Sequence, residues 1–316
     1  MATADATTTA PSTRTAPSRD ATRGLTTTGR GAGGRPRRRG VAWLGLTPFA
    51  LYVLLFLAVP AVIAVASGFF SASGAPTLAN LKAFADPSIL QAFAGSAGLS
   101  AASAVLGAAI GAVVCWALLT LRPDGLVRSM VDAASSVLAQ FGGVMLAFAF
   151  IATIGVQGIV TVWLRDVGID INANGPFLYT VAGLVVPYLY FQVPLMVLTF
   201  MPALEGLGAQ WGEAAATLGA SRSVYWRRIA IPVLAPAFWG SLLLLFANAF
   251  SSYATAAALI AQGGIVPLTI RQQLTSETVV GVQNVAGVLA LGMVVVMVVV
   301  MVAYSALERR ASRWQR

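Results

Sequence analysis

The chain has 316 residues, of which 58% are hydrophobic and 10% charged, with a formal net charge of +9 and no histidine. No soluble domain of this size needs so much apolar surface, and apolar runs of about 20 residues match a bilayer core, so the composition predicts an all-α, polytopic membrane protein. The missing histidine excludes imidazole metal sites and Ser-His-Asp triads, and the sole lysine, Lys82 in "LANLKAF", follows no glycine-rich loop, so any ATP this protein uses is bound by another chain.

Residues 1–40 are rich in Thr, Ala, Arg and Gly and lack apolar periodicity, which predicts a disordered cytoplasmic tail. Their Arg-rich, acid-poor composition also fits a transit peptide, and "RRRG" before an apolar run fits a signal sequence. The run from Val41 to Phe70 is too long for a signal core, and it is read as a first span held by Arg37, Arg38 and Arg39. Five more runs follow at about 94–121, 131–155, 178–201, 233–260 and 285–307, giving six spans in a transmembrane domain of 41–308 with a basic end at 309–316.

Six spans place both termini on one side. On that side fall the eight arginines of the tail, Arg122, Arg128, Arg222, Arg227, Arg228 and the four that close the chain, 17 in all. The other side receives only Lys82, Arg165 and Arg271, so both termini are expected in the cytoplasm. These flanking charges are read as topology and not as a nucleic-acid surface.

Within the second span, Ser100, Ala104, Ala108 and Ala112 recur at four-residue spacing with Ser103, Gly107 and Gly111 alongside, a stripe that lets helices approach closely. Cys115, the one cysteine, is expected to be a small buried residue. The outer loop 155–175 should hold a short helix near 160–167 that ends at Gly168. No carboxylate lies deep in a span, Asp132 being near the cytoplasmic end of the third. The main polar side chains within spans are Gln140, Gln157, Gln192, Asn248, Ser251, Ser252 and Tyr253. Of these, Gln140, Gln192, Asn248, Ser252 and Tyr253 are candidates for lining a weakly binding, neutral passage, with packing as their alternative role.

The stretch "EAAATLGASRSVYWRRIAIP", Glu213–Pro232, interrupts the apolar pattern inside a cytoplasmic loop of 202–232. Trp211, Ala214, Ala215 and Leu218 fall at helical spacing on one face, and Glu213 sits near the helix start. Gly219 ends that helix, Ser221 or Ser223 caps a second one carrying Tyr225 and Ile229, and Pro232 breaks it to open the fifth span. The product is a small amphipathic platform. It could either dock another protein or rest on lipid headgroups through Arg222, Arg227 and Arg228.

This stretch resembles the EAA motif of binding-protein-dependent ABC importer permeases, which places Glu213, Ala214, Ala215, Gly219, Ile229, Ile231 and Pro232 at the motif positions. Trp226 stands where the family usually has phenylalanine. The resemblance extends over roughly residues 90–305. It implies a type I importer permease in a bacterial cell membrane, with a second permease subunit, two ATP-binding subunits and an extracytoplasmic binding protein as partners. It also implies no metal and no cofactor in this chain, ATP being bound by the partner subunits. Glu213, Ala214, Ala215, Gly219, Arg222, Ile229 and Pro232 would form the element that couples to the ATPase, with Glu213 meeting a basic group there. Three further segments, "GVQGIVTVWLRDVGI", "QVPLMVLTFMPALEGLG" and "YATAAALIAQGGIVPLTIRQQL", are similar to permeases for spermidine/putrescine and to relatives for phosphonates, thiamine, ferric iron and sulfate. The cargo implied is a small polar solute, polyamine-type or related. An ion-coupled secondary transporter would need an intramembrane ionisable site, and a membrane-embedded enzyme would need acid–base groups that the spans lack.

Overall fold

A computed structural model describes residues 39–122, 124–173, 175–260, 263–275 and 282–313. The expected tail, up to residue 38, and the last three residues of the basic C-terminus lie outside them. The chain divides into two compact units, Met1–Tyr52 and Val53–Arg316. The first carries all but the last residue of helix α1 (Arg39–Val53). Six helical segments among the described residues are long and apolar enough to cross a membrane: Leu46–Ser67, Pro87–Leu118, Gly143–Asp166, Val185–Glu205, Arg222–Ser251 and Asn284–Leu307. The expected all-α, six-span architecture is thus present, and β pairing among the described residues is limited to one isolated bridge, Phe70 with Pro76.

In the second unit a wide turn over Leu54–Ala58 leads into α2 (Val59–Ser67). The long α3 (Pro87–Leu118) begins at Asp86, whose Oδ1 accepts hydrogen bonds from the Ser88 hydroxyl and N–H, each 2.8 Å. The hydroxyl contact and then the backbone contact hold the Asp86 carboxyl below its usual range. The run 131–155, read from sequence as one span, is divided into α4 (Leu126–Leu138) and α5 (Gly143–Ile154). The break has a physical cause. Gly143 has φ +78°, and its N–H donates to the Thr255 hydroxyl at 2.9 Å, so the backbone turns there instead of continuing the α ladder. The short α6 (Ile159–Asp166) follows, ending before Gly168 at φ +91°, as the outer-loop pattern predicts.

Helix α7 (Val185–Glu205) contains Pro194 and Pro202 and packs most extensively against α3. The small-residue stripe makes this possible. Ser100, Ser103, Ala104, Gly107, Ala108 and Gly111 are all buried, and a Cβ on Gly107 would fall 2.7 Å from the Gln192 Cβ. Cys115 is fully buried on the same helix. Next come α8 (Ala209–Thr217), α9 (Arg222–Tyr225), a wide turn over Trp226–Ala230, and α10 (Ile231–Ser251). The chain then breaks at Ser252–Tyr253 before α11 (Ala254–Leu259) and α12 (Val266–Thr275), and closes with α13 (Val282–Arg313).

Three apolar cores hold the second unit together. One joins α5, α7 and α11 around Tyr188, Leu146 and Leu259. Another joins α3, α7 and α10 around Met196, Phe200 and Leu245. The third sets α12 between α3 and α13 through Ile89, Val266 and Leu289.

Pro232 does not break the chain as the sequence suggests. It lies in the first turn of α10, and α9, the wide turn and α10 run as one continuous helical segment, Arg222–Ser251. A proline cannot donate to the carbonyl four residues earlier. The preceding turn widens instead, and the Ile231 N–H bonds to the Trp226 carbonyl, five residues back. The same device occurs before Pro60, where the Val59 N–H bonds to the Leu54 carbonyl.

Candidate functional site

The segment between the fourth and fifth spans is a helix–turn–helix, as its spacing predicts. Gly219 carries it: φ is +76°, and no atom lies within 4 Å of the place a Cβ would occupy, so backbone geometry alone selects glycine. The Ser221 hydroxyl then caps α9 by accepting from the Val224 N–H at 3.4 Å.

The details of α8 differ from the sequence reading. Of Trp211, Ala214, Ala215 and Leu218, expected on one apolar face, only Ala215 is buried within this chain, and Leu218 is 88% exposed. Glu213 is exposed and falls in the second helical turn, past the reach of the N-terminal dipole. Arg222 and Pro232 are exposed, Ile229 is half-buried, and Ala214 is exposed. Glu213, Leu218, Arg222, Arg227 and Arg228 thus present charge and apolar surface outward from a short, turn-braced platform.

The candidate path residues lie on different elements. Gln140 is exposed in the break between α4 and α5. Gln192 is fully buried between α3, α7 and α10; its Nε2 donates to the Leu245 carbonyl at 2.9 Å, while its Oε1 has no partner. Asn248 is half-buried on α10. The Ser252 carbonyl accepts from the Tyr188 hydroxyl at 3.0 Å, which fixes the break after α10, and Tyr253 projects from that break into a cavity.

One feature escaped the sequence reading. Arg128, counted there as a topology charge, is the single buried charged side chain among the described residues. It hydrogen-bonds Glu205, the last residue of α7, and lies 3.7 Å from Asp132 on its own helix. A cavity of about 780 Å³ opens beside it, bordered by Asp124, Ser129, Asp132, Met201 and Glu205. Helix α4 packs chiefly against α7, so this contact pins α4 to the helix that enters the helix–turn–helix. Arg128 and Glu205 are 77 residues apart, and no local pattern pairs them.

A multi-span helical body with an exposed, glycine-turned platform between its fourth and fifth spans has the form of a transport permease. Residues 156–313 match the family of binding-protein-dependent transport system inner membrane components, and the chain belongs to that family of multi-pass inner membrane proteins. It is 28% identical over 153 residues to the sulfate transport system permease protein CysT of Escherichia coli, covering 48% of this chain and 52% of that one. It is 30% identical over 158 residues to the molybdenum transport system permease protein ModB of Mycobacterium tuberculosis, covering 49% and 55%. The chain spans about half the length of these two relatives. With the sulfate permease protein CysW of Synechocystis it shares 24% identity over 273 residues, covering 83% of this chain and 92% of that one. Among solved structures, a bacterial ABC transporter involved in import of the acidic polysaccharide alginate has a chain of the same fold, with TM-score 0.66, 16% identity, and coverage of 86% of this chain and 96% of that one.

Proposed function

We propose that this chain is the permease subunit of an ATP-driven, binding-protein-dependent importer for a small tetrahedral oxyanion of the sulfate or molybdate kind. The observation that carries the transport role is the exposed platform of α8 and α9, held between two spans by Gly219 and the Ser221 cap. Its partners in this reading are a second permease subunit, two ATP-binding subunits that hold the ATP, and an extracytoplasmic binding protein. Both termini and the platform face the cytoplasm, in keeping with the arginine distribution. Glu213, Ala214, Ala215, Gly219, Arg222, Ile229 and Pro232 form the coupling element, and its rigid docking carries ATP-driven closure into the spans.

The sulfate and molybdenum names of the relatives support this cargo, where the sequence pattern suggested a polyamine-type solute. Electrostatics favours the same change. A polyamine held at mid-membrane would be drawn to a deep carboxylate, and the spans offer none.

Two measurements test this reading. A tagged chain purified from its own cells should retain an ATP-binding subunit, and those cells should show ATP-dependent uptake of radiolabelled sulfate or molybdate that is lost on deletion of the chain. Glu213→Ala removes a charged contact and should weaken retention of the ATPase by on the order of 1–3 kcal/mol. Gly219→Val should act more strongly, since a β-branched residue resists positive φ and misdirects α9. Both variants should reach the membrane in normal amounts. Full uptake by both would leave the platform as a helix pair resting on lipid.

A further inference from the structure

Arg271 stands apart from the other basic residues. The charge count assigns it to an outer loop, yet it lies in the middle of α12, which packs against α3 and α13. Two contacts gauge its depth. The Val266 N–H donates to the Ser96 hydroxyl at 2.8 Å, nine residues into α3. Arg271 itself borders a cavity with Met293, nine residues past Asn284, where the last candidate span begins. Met293 lies roughly 14 Å along its candidate span, inside a hydrocarbon core of about 30 Å, while Ser251, the last residue of the fifth span, lines the same cavity, so the cavity reaches from the outer ends of the spans into the core. The irregular link before α12 agrees with this depth, because Ile260 and Ile265 are buried in protein, the condition for non-helical backbone inside a membrane.

An arginine at that level is costly unless it faces a bundle interior or a water-filled path. No carboxylate pairs with Arg271 among the described residues. Its cavity, about 400 Å³, is lined by Ser251, Tyr253, Leu274, Thr275 and Met293, among others, and has room for roughly a dozen waters. The hydroxyls of Ser251 and Thr275 already donate to the carbonyls of Asn248 (3.2 Å) and Arg271 (2.9 Å). The donors left for a guest are the Arg271 guanidinium and the Tyr253 phenol, the latter aimed by the chain break that the Tyr188–Ser252 hydrogen bond fixes.

We infer that Arg271 and Tyr253 form an oxyanion-binding site within the translocation path, taking a small doubly charged tetrahedral anion. A planar guanidinium fork matches two oxygens of such an anion, and a phenol supplies a third donor. The inference rests on the importer reading for its route, but the site has its own signature. A passage without a cation would offer a sulfate-class ion no compensation for its lost hydration; one arginine that no carboxylate pairs with among the described residues supplies it and still lets the ion leave.

The experiment has two arms. In the first, Leu274→Cys is introduced into the full complex in intact cells, where the buried native Cys115 stays silent. Reaction rates with a sulfonate-bearing and a trimethylammonium-bearing methanethiosulfonate are compared, with and without Arg271→Gln. The anionic reagent should be preferred, and loss of Arg271 should lower that preference by roughly tenfold. No reaction, or an unchanged ratio, overturns the site, the first of these meaning that Arg271 only anchors α12 in a dry contact. In the second arm, sulfate and molybdate uptake should fall roughly tenfold in Arg271→Gln and less in Arg271→Lys and Tyr253→Phe, with membrane abundance and ATPase retention unchanged. Wild-type uptake by Arg271→Gln overturns the inference. A wild-type chain that imports neither anion overturns the functional reading, and the site then stands or falls on the reagent ratio.

Discussion

Glu205→Ala should lower the thermal midpoint of the purified chain more than Arg128→Met does, although Arg128 is the buried member of the pair. The Arg128 side chain is 7% exposed, whereas those of Asp132 and Glu205 are 48% and 50% exposed. Removing the arginine leaves two carboxylates that water can reach, and methionine refills most of its volume, so the cost should be about 1–2 kcal/mol. Removing Glu205 leaves a guanidinium in the α4–α7 contact with only the 3.7 Å partner Asp132, and should cost on the order of 3 kcal/mol. A carboxylate ending a helix is itself unfavourable, by roughly 0.5 kcal/mol, which offsets only a small part of that loss. At about 2–4 °C per kcal/mol the two variants should separate clearly in a heating series followed by size-exclusion chromatography. The double variant should recover part of the Glu205→Ala loss. Equal midpoints for the two single variants would contradict this account of the pair.

The second large effect concerns the α3–α7 seam. A Cβ added at Gly111 would sit 2.5 Å from the Met196 Cβ and 3.1 Å from the Val193 carbonyl oxygen, so even Gly111→Ala must push the helices apart. Overpacking of this kind costs roughly 1–3 kcal/mol. Gly98 provides a matched control on the same helix: it is exposed, nothing lies within 4 Å of its Cβ site, and Gly98→Ala should stabilise by about 0.5–1 kcal/mol through reduced backbone entropy. Opposite signs for two identical substitutions would show that contact, and not helix propensity, decides the first. The same sign for both would refute the close-packed seam.

What could be read from the sequence follows from what is local. Span count and the Glu213–Pro232 helix–turn–helix depend on runs and spacings inside short windows, and both are visible there. The break between α4 and α5 is not, because Gln140 and Gly142 barely interrupt an apolar run and the partner that fixes Gly143 is Thr255, 112 residues away. The Arg128–Glu205 pair is hidden for the same reason. The charge count assigns Arg271 to an outer loop, and it lies instead on the ten-residue α12; a short helix beside the spans has the polarity of a loop. The apolar residues expected on one face of α8 are mostly exposed within this chain. The spacing was helical, but periodicity cannot say which neighbour, if any, covers the face.

The wide turn at Trp226–Ala230 has a geometric consequence for the platform. An α-helix advances about 100° per residue, so one extra residue in a single turn shifts the angular phase of everything beyond it by about that amount. The azimuth of α8 and α9 about the axis of the fifth span is therefore set by one residue, and Pro232 keeps that residue in place by denying the α ladder its donor. Were Pro232 replaced by alanine, the turn could tighten into regular α-helix, and the same exposed side chains would then swing toward a different quarter of the membrane surface.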